Sequence, residues 1–382
     1  MGTRNALAGS AALALLALAC AAGCSAPAAG TSAAGPAASP RAGTGWTVRT
    51  VLRESASEAF ADQVADPRAG AVYVLAPGPG AAAAQGPFVV ERNGPKDGSV
   101  RRGPAVPAAG LLSLAAGYLW VSESAPSGRR ELVQLDPRTL AVVRTLRLPA
   151  AAPAGVPLAD VVPGPAGSVW AAASPALLRI TPATGAVLGR VGLPARLAVT
   201  GLAADPAGRY LYVSAARVIP GGGISGAEVL EYGARSGGLV ASTARAPVSF
   251  SVAGADLTGA PGGVWASIRT GLLGLTFLLH SPGLAAAPLP GVGSSAAPPA
   301  GGIFHHAMGA VTVYGGGALW LASGSGVVAC LSPQTGQVRA RTQLPAMGAS
   351  DQLLAADPAA HVVYAVGQAG VIAITPPAAC GG

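Results

Sequence analysis

The sequence predicts an all-β protein: a seven-bladed β-propeller of four-stranded antiparallel blades, with the last blade completed by the N-terminal strand. Three observations predict this fold. Gly and Pro account for 55 and 34 of the 382 residues, which disfavours long helices. The apolar residues fall in short Val, Leu and Ala runs with Tyr or Trp, a pattern typical of strands. An aliphatic–aromatic pair also recurs every 42 to 55 residues, the spacing of propeller blades.

The first residues predict an exported protein. Arg4 precedes an apolar run over residues 6–19. This run has the length of a secretory signal and is too short to span a bilayer well. We therefore expect residues 1–23 to be a signal peptide.

The end of this segment predicts a lipid anchor. The stretch Ala21-Ala22-Gly23-Cys24 resembles a bacterial lipobox, which implies cleavage before Cys24 and lipidation of its thiol. Cys20 also fits the loose pattern, and an ordinary secreted protein cleaved near Ala22 or Ala26 is the alternative. The expected location is the outer face of the cytoplasmic membrane or the cell envelope.

The next segment predicts a tether. Residues 25–44 are Ala, Pro, Gly, Ser and Thr apart from Arg41, without any apolar period. Such a composition is typical of a flexible linker. Residues 24–44 are thus expected to join the lipid to a propeller over residues 45–382.

Seven repeat units are expected in the propeller. The first strand of a unit ends in a Pro or Gly turn such as ADPRAG, and the second carries the aromatic pair. The third strand resembles ELVQLDP and the fourth AVVRTLRLP. Proline suits these turns because it fixes φ and lacks an N–H. The pairs are Val72-Tyr73, Leu119-Trp120, Val169-Trp170, Leu211-Tyr212, Val264-Trp265, Leu319-Trp320 and Val363-Tyr364.

The last unit lacks a fourth strand of its own. The segment GWTVRTVLRE, residues 45–54, resembles the fourth strands of other units. We expect it to complete the last blade, which removes an open sheet edge. Six or eight blades are the alternatives, and the unit containing residues 271–291 is the least regular.

The repeat hairpins resemble a known family. AADPAGRYLYVSA and LSPQTGQVRARTQLP are similar to the hairpins of the YVTN-type and PQQ-like β-propeller repeats of secreted bacterial proteins, and the resemblance covers about residues 45–382. It implies the fold and little about activity, because this fold hosts binding scaffolds, lyases, lactonases and dehydrogenases. Quinoprotein repeats carry a Trp soon after the Thr-Gly turn. Thr184-Gly185 and Thr335-Gly336 are followed by no such Trp, so PQQ is not supported.

Acidic residues recur at one position of the repeat. Asp62, Asp160 and Asp256 each stand five residues before the turn proline, whereas the fourth blade has Gly201 there. Three carboxylates at one rim of the central channel are suited to Ca²⁺ or Mg²⁺. The alternative is a local bond from each Asp to the loop backbone.

Further candidate residues lie near the same level. A histidine there could act as a base or a metal ligand. Virginiamycin B lyase, a seven-bladed propeller using His and Glu with a metal, resembles this layout, but no counterpart of its catalytic Glu is identified and no catalytic residue is assigned. These further candidates are Asp351, His305 and His306.

Cys330 and Cys380 are the cysteines whose thiols are unmodified after the expected cleavage and lipidation at Cys24. An oxidising compartment favours a disulfide between them. The bridge requires Cα atoms within about 7 Å, so the C-terminal tail must fold back onto the neighbouring blade. Two free thiols are the alternative.

Binding is favoured over catalysis by the composition. The chain has 16 acidic residues and four histidines, few for a channel-mouth enzyme. The net charge of +8 comes from scattered arginines, so nucleic-acid binding is not expected. We therefore expect a monomeric scaffold, without a required cofactor, that binds a protein or glycan partner. A metal-assisted lyase or lactone hydrolase is the alternative.

Overall fold

The computed structural model describes most of the predicted propeller. The described residues are 45–53, 62–78, 87–94, 99–106, 110–124, 130–148, 160–218, 224–243, 255–270, 273–286, 311–322, 327–344, 354–367 and 370–381. They form seven four-stranded antiparallel sheets, which confirms the predicted seven-bladed propeller. None of the helices within these ranges is long and apolar enough to cross a bilayer.

The first four blades each use four consecutive strands, numbered from the innermost outwards. Blade 1 contains β2 (Asp62–Asp66), β3 (Ala71–Pro77), β4 (Phe88–Gly94) and β5 (Ser99–Val106). Blade 2 contains β6 (Leu111–Ala115), β7 (Tyr118–Ser124), β8 (Arg130–Leu135) and β9 (Val142–Arg147). Blade 3 contains β10 (Val161–Pro163), β11 (Val169–Ala173), β12 (Ala176–Ile180) and β13 (Val187–Gly192). Blade 4 contains β14 (Leu197–Ala204), β15 (Tyr210–Val218), β16 (Ile224–Gly233) and β17 (Leu239–Ser242).

The remaining blades follow the same order until the ring closes. Blade 5 contains β18 (Ala255–Ala260), β19 (Gly263–Thr270), β20 (Leu273–His280) and the short β21 (Ala285–Ala286). Blade 6 contains β22 (Val311–Gly315), β23 (Ala318–Ala322), β24 (Val327–Leu331) and β25 (Val338–Gln343). Blade 7 contains β26 (Leu354–Asp357), β27 (Val362–Gly367), β28 (Gly370–Thr375) and, as its outermost strand, β1 (Thr47–Arg53).

The N-terminal strand completes blade 7 as the sequence predicts. β1 pairs antiparallel with β28, from Thr47 opposite Thr375 to Arg53 opposite Gly370. A register shift lies between Thr50 and Leu52. Without β1, β28 would be an unpaired edge strand.

The blades have two distinct ends, which are named here for use below. At the turn end, the first strand passes into the second and the third into the fourth. At the entry end, the first strands begin. Fourth strands therefore start at the turn end, and this holds for β1, whose first residue Thr47 lies beside Thr375 at the end of β28.

The recurring aromatic residues join neighbouring blades. The Tyr73 hydroxyl donates to the Pro137 carbonyl at 2.8 Å, and Trp265 Nε1 donates to the Pro333 carbonyl at 2.9 Å. Each acceptor lies in the third-to-fourth-strand turn of the following blade. Trp170 reaches the corresponding turn of blade 4 through the Ala234 carbonyl at 3.1 Å. A large apolar body with a polar tip suits this position, because it fills the space between blades and still pairs its donor.

Tyr212 makes the same connection from blade 4 to blade 5. Its hydroxyl lies 2.8 Å from the Ser281 hydroxyl, and burial raises the pKa of Tyr212 to about 12. Trp120 and Trp320 differ, since their indole N–H groups donate to the Ala115 and Gly315 carbonyls within their own blades. The recurring Tyr or Trp therefore occupies the same position in the repeat, whereas its hydrogen-bond partner differs from blade to blade.

The seam between blades 6 and 7 has two further links. Trp46, just before β1, packs edge-on against Trp320 with ring centroids 6.3 Å apart. Cys330 on β24 and Cys380, in the short 3-10 helix Ala378–Cys380, form a disulfide with a Cα–Cα distance of 5.6 Å. The C-terminal tail folds back as that bridge requires, and both sulfur-bearing residues are buried.

Candidate functional site

The repeated aspartates stand at one level at the entry end. Asp62 begins β2, Asp160 immediately precedes β10, and Asp256 is the second residue of β18. Each lies two residues before the position that pairs with the blade's Tyr or Trp. The side chain of Asp256 is outside the described part of the molecule, as are the other nominated residues: Cys20, Cys24, Asp351, His305 and His306.

Asp62 and Asp160 connect successive blades. Asp62 Oδ2 accepts a hydrogen bond from the Leu112 N–H on blade 2 at 2.6 Å, while its Oδ1 accepts from the adjacent Gln63 N–H at 2.8 Å. Asp160 Oδ2 accepts from the Leu202 N–H on blade 4 at 3.0 Å. The carboxylates therefore tie the first strand of one blade to the first strand of the next.

A serine makes the corresponding link between blades 2 and 3. The Ser113 hydroxyl oxygen accepts from the Val161 N–H at 3.3 Å. The three donors, on Leu112, Val161 and Leu202, occupy one register position, directly before the residue opposite the Tyr or Trp. First strands are edge strands, and the N–H groups on their open edges need acceptors. Side chains of the preceding blade supply them.

The aspartates make bonds between blades in addition to the local bonding that the sequence analysis considered. The Asp62 bond to Gln63 is local, whereas the bonds to Leu112 and Leu202 join separate blades. Within the described residues, no group of three or more His, Cys, Asp and Glu side chains is placed to hold a metal ion. The sequence could align the aspartates but could not show which backbone groups they meet.

A cleft between the outer parts of blades 2 and 3 is a second candidate site. Its volume is about 480 Å³. Leu146 and Leu148 from the blade 2 side, with Leu178 and Ile180 from blade 3, give it an apolar floor. Clefts of this size and lining are typical of binding sites. Its other lining residues are Glu131, Thr145, Arg147, Gly185 and Val187.

Charged residues lie at the edge of this cleft. Arg147 Nε on β9 is 3.5 Å from Glu131 Oε1 on β8. Glu123 on β7 pairs across the sheet with Glu131, and the pKa of Glu123 is raised by burial and then by the charge of Glu131. The exposed Arg147 and the mostly buried Glu131 thus place a cation and an anion beside the aliphatic residues of the cleft.

Sequence analysis missed this cleft, although part of the signal was present. The strand assignments place Glu131 at the start of a third strand and Arg147 at the end of a fourth, so antiparallel pairing brings them together. The apolar floor could not be anticipated, since it forms between two blades that touch only after folding.

The comparisons with known proteins support the fold. No protein-family model matches the chain, and no curated protein matches it. Among solved structures, the Cps50 (Swd1) β-propeller domain of Myceliophteria thermophila matches with a TM-score of 0.54 and 13% identity over 86% of this chain and 99% of that one. BamB from Moraxella catarrhalis matches with a TM-score of 0.49 and 15% identity over 82% and 84% of the two chains. At these identities the similarity extends to the fold alone.

Proposed function

We propose that this chain is a lipid-anchored cell-envelope protein whose propeller binds a partner protein through the cleft between blades 2 and 3. The observation that carries the proposal is the cleft itself, with its aliphatic floor of Leu146, Leu148, Leu178 and Ile180. The Glu131–Arg147 pair at its edge supplies polar contacts. An aliphatic floor with a charged rim is the usual arrangement of a protein-binding surface.

The chemistry of the floor favours a polypeptide over a glycan. Four aliphatic side chains line the cleft, and a Leu or Ile side chain of a partner would pack against them. A sugar is recognised mainly through hydrogen bonds to its hydroxyl groups, whereas five of the nine residues that line this cleft are aliphatic. The inter-blade use of Asp62 and Asp160 also supports a structural role at the channel mouth rather than a chemical one.

The proposed location rests on the N-terminal sequence and on the disulfide. The Cys330–Cys380 bridge is the kind of bond that persists in an oxidising compartment. The lipobox-like segment ending at Cys24 supplies the anchor. We also propose that the chain belongs to the secreted bacterial proteins with YVTN-type and PQQ-like β-propeller repeats. The repeat hairpins support this assignment.

Site-specific photo-crosslinking in intact cells tests the binding site. A photoreactive residue in place of Thr145, which lines the cleft on β9, should give a discrete protein adduct. The matched control is Arg341, at the corresponding position of the fourth strand of blade 6. The adduct at 145 should be lost when Arg147→Ala is added. Equal labelling from both positions would contradict the assignment of the cleft.

Substitution Cys24→Ala tests the anchor. We expect the variant to be released from the membrane or to remain uncleaved, because the acceptor thiol is gone. The measurement is incorporation of a radioactive fatty acid into the immunoprecipitated chain, with Cys20→Ala as the matched control that should keep the label. Undiminished label on Cys24→Ala would remove Cys24 from the proposal.

A further inference from the structure

Exposed aliphatic side chains recur at one place in the blades. Each large hydrophobic residue that is exposed in the described part of the chain is the first or second residue of a fourth strand. Valine or leucine is between 39% and 56% exposed at these positions. Five blades contribute to the set: Val100, Val142, Val143, Val187, Leu188, Leu239, Val240 and Val338.

The topology places these residues around the perimeter of one face. Fourth strands start at the turn end, so residues at their first two positions encircle the face that carries the turns. We call this surface the turn face. It comprises the described turns at the turn end and the first three residues of β5, β9, β13, β17 and β25. A flat surface contacts the equivalent residues of several blades at the same time only when it lies parallel to this face.

The turn face is also cationic. Arg101, Arg144 and Arg339 follow the exposed aliphatic residues on β5, β9 and β25. Arg138 and Arg235 are exposed in the third-to-fourth-strand turns of blades 2 and 4. The seven described fourth strands together contain no Asp or Glu.

The carboxylates at the turn end are largely withdrawn from the surface. Asp66, Asp205 and Asp357 are buried. Asp66 Oδ1 accepts from the Arg68 and Ala69 N–H groups, and the other two accept from N–H groups of their own turns. Asp136 is partly exposed and accepts from Thr139 and Arg138, which lowers its pKa and keeps it ionised. The outward-facing charge is therefore mainly arginine.

The chain enters the propeller at this same face. β1 begins at Thr47 beside the end of β28, at the turn end. Trp46 is buried against Trp320, which fixes the entry point of the polypeptide. The described part of the polypeptide therefore begins, at Gly45, on the turn face.

We propose that the turn face docks flat against the anionic phospholipid surface of the membrane. Arginine side chains meet the lipid phosphates, and the aliphatic ring, apart from Val187 in the cleft between blades 2 and 3, reaches the boundary between headgroups and acyl chains. The aliphatic ring favours a bilayer over a soluble polyanion, which would use only the arginines. The proposal rests on the lipid anchor proposed above, because a short tether arriving at this face would hold it near the bilayer.

The test uses the full chain reconstituted into vesicles, with hydrogen–deuterium exchange read by mass spectrometry. Peptides covering residues 136–143, 181–188 and 233–240 report the turn face, and residues 193–197 report the entry end. In vesicles containing phosphatidylglycerol, exchange of the three turn-face peptides should be at least about fivefold slower than in pure phosphatidylcholine, the effect of one arginine near an anionic surface. High salt should remove the difference, and the peptide 193–197 should not change.

Charge reversal identifies the residues responsible. The double variant Arg138→Glu with Arg235→Glu should lose the protection, whereas Arg196→Glu, an exposed arginine at the entry end, should retain it. The same exchange in both lipids, or protection that survives the double reversal, would overturn the docking face.

Vesicle flotation separates this inference from the anchor. A chain that floats with both vesicle types but shows no lipid-dependent exchange would keep the anchor and refute the docking. A chain that floats only with phosphatidylglycerol, and does so through Arg138 and Arg235, would contradict the anchor and support the docking. A chain that floats with neither would refute both.

Discussion

A chain lacking residues 45–53 should fail to form a stable monomeric propeller. The deletion removes β1 and exposes the edge of β28 along the register from Thr375 to Gly370. It also removes Trp46, which is 6% exposed, and truncating a buried Trp alone typically costs about 3–5 kcal/mol. The lost burial and strand pairing together are comparable with the whole stability of a typical domain, about 5–15 kcal/mol. An unpaired edge would in addition favour aggregation.

The measurement is the unfolding transition and the elution volume of the purified chains. The matched control is deletion of residues 25–44, a longer segment that should leave both unchanged. Attaching residues 45–54 after Gly382 through a short glycine linker should restore the fold, because the strand then reaches the same site from the other terminus. Equal melting temperatures for the two deletions would show that β1 does not close the ring.

Breaking the Cys330–Cys380 disulfide is expected to have the second largest effect. The two cysteines are 50 residues apart in sequence, and cross-linking a loop of that length stabilises by about 4 kcal/mol in the chain-entropy model. The bond joins β24 of blade 6 to the tail that follows β28 of blade 7, so it holds the seam where the two ends of the chain meet. Its loss should free the tail and loosen that seam.

The double variant Cys330→Ala with Cys380→Ala should lower the free energy of unfolding by about 3–4 kcal/mol. Guanidinium titration of the oxidised protein, the reduced protein and the double variant measures this. Reductant should destabilise the parent chain and have no further effect on the variant. A parent chain indifferent to reductant, with two alkylatable thiols, would refute the bridge.

Much of the fold could be predicted because each blade repeats the same local requirements. The Tyr or Trp of the second strand and the turn prolines predicted seven blades, with six or eight as alternatives, and residues 45–54 could be matched to a fourth strand by their Val and Arg spacing. The partner of each aromatic could not be predicted. Trp265 donates to the next blade and Trp320 to its own, which the shared repeat position does not reveal.

The site was less predictable than the fold. The level of Asp62, Asp160 and Asp256 followed from counting residues, since strand pairing preserves register. Their hydrogen-bond partners depend on the distance and orientation between neighbouring blades. The types of side chain in the sequence do not determine these quantities. The cleft between blades 2 and 3 was missed for the same reason, because its lining comes from strands of two blades.

The central claim is that the entry-end carboxylates tie blades together in a binding scaffold, and Asp62 tests it most directly. Asp62→Asn keeps an oxygen that can accept from the Leu112 N–H, whereas Asp62→Ala leaves that N–H without its acceptor at a cost of about 1–3 kcal/mol. Thermal unfolding should be recorded for both variants and the parent chain, each with a chelator and with millimolar Ca²⁺. We predict the same melting temperature for the parent in both solutions, a small decrease for Asp62→Asn and a larger one for Asp62→Ala, neither depending on Ca²⁺. A parent melting temperature that rises with Ca²⁺, and a rise lost equally in Asp62→Asn and Asp62→Ala, would contradict the claim and make Asp62 a metal ligand.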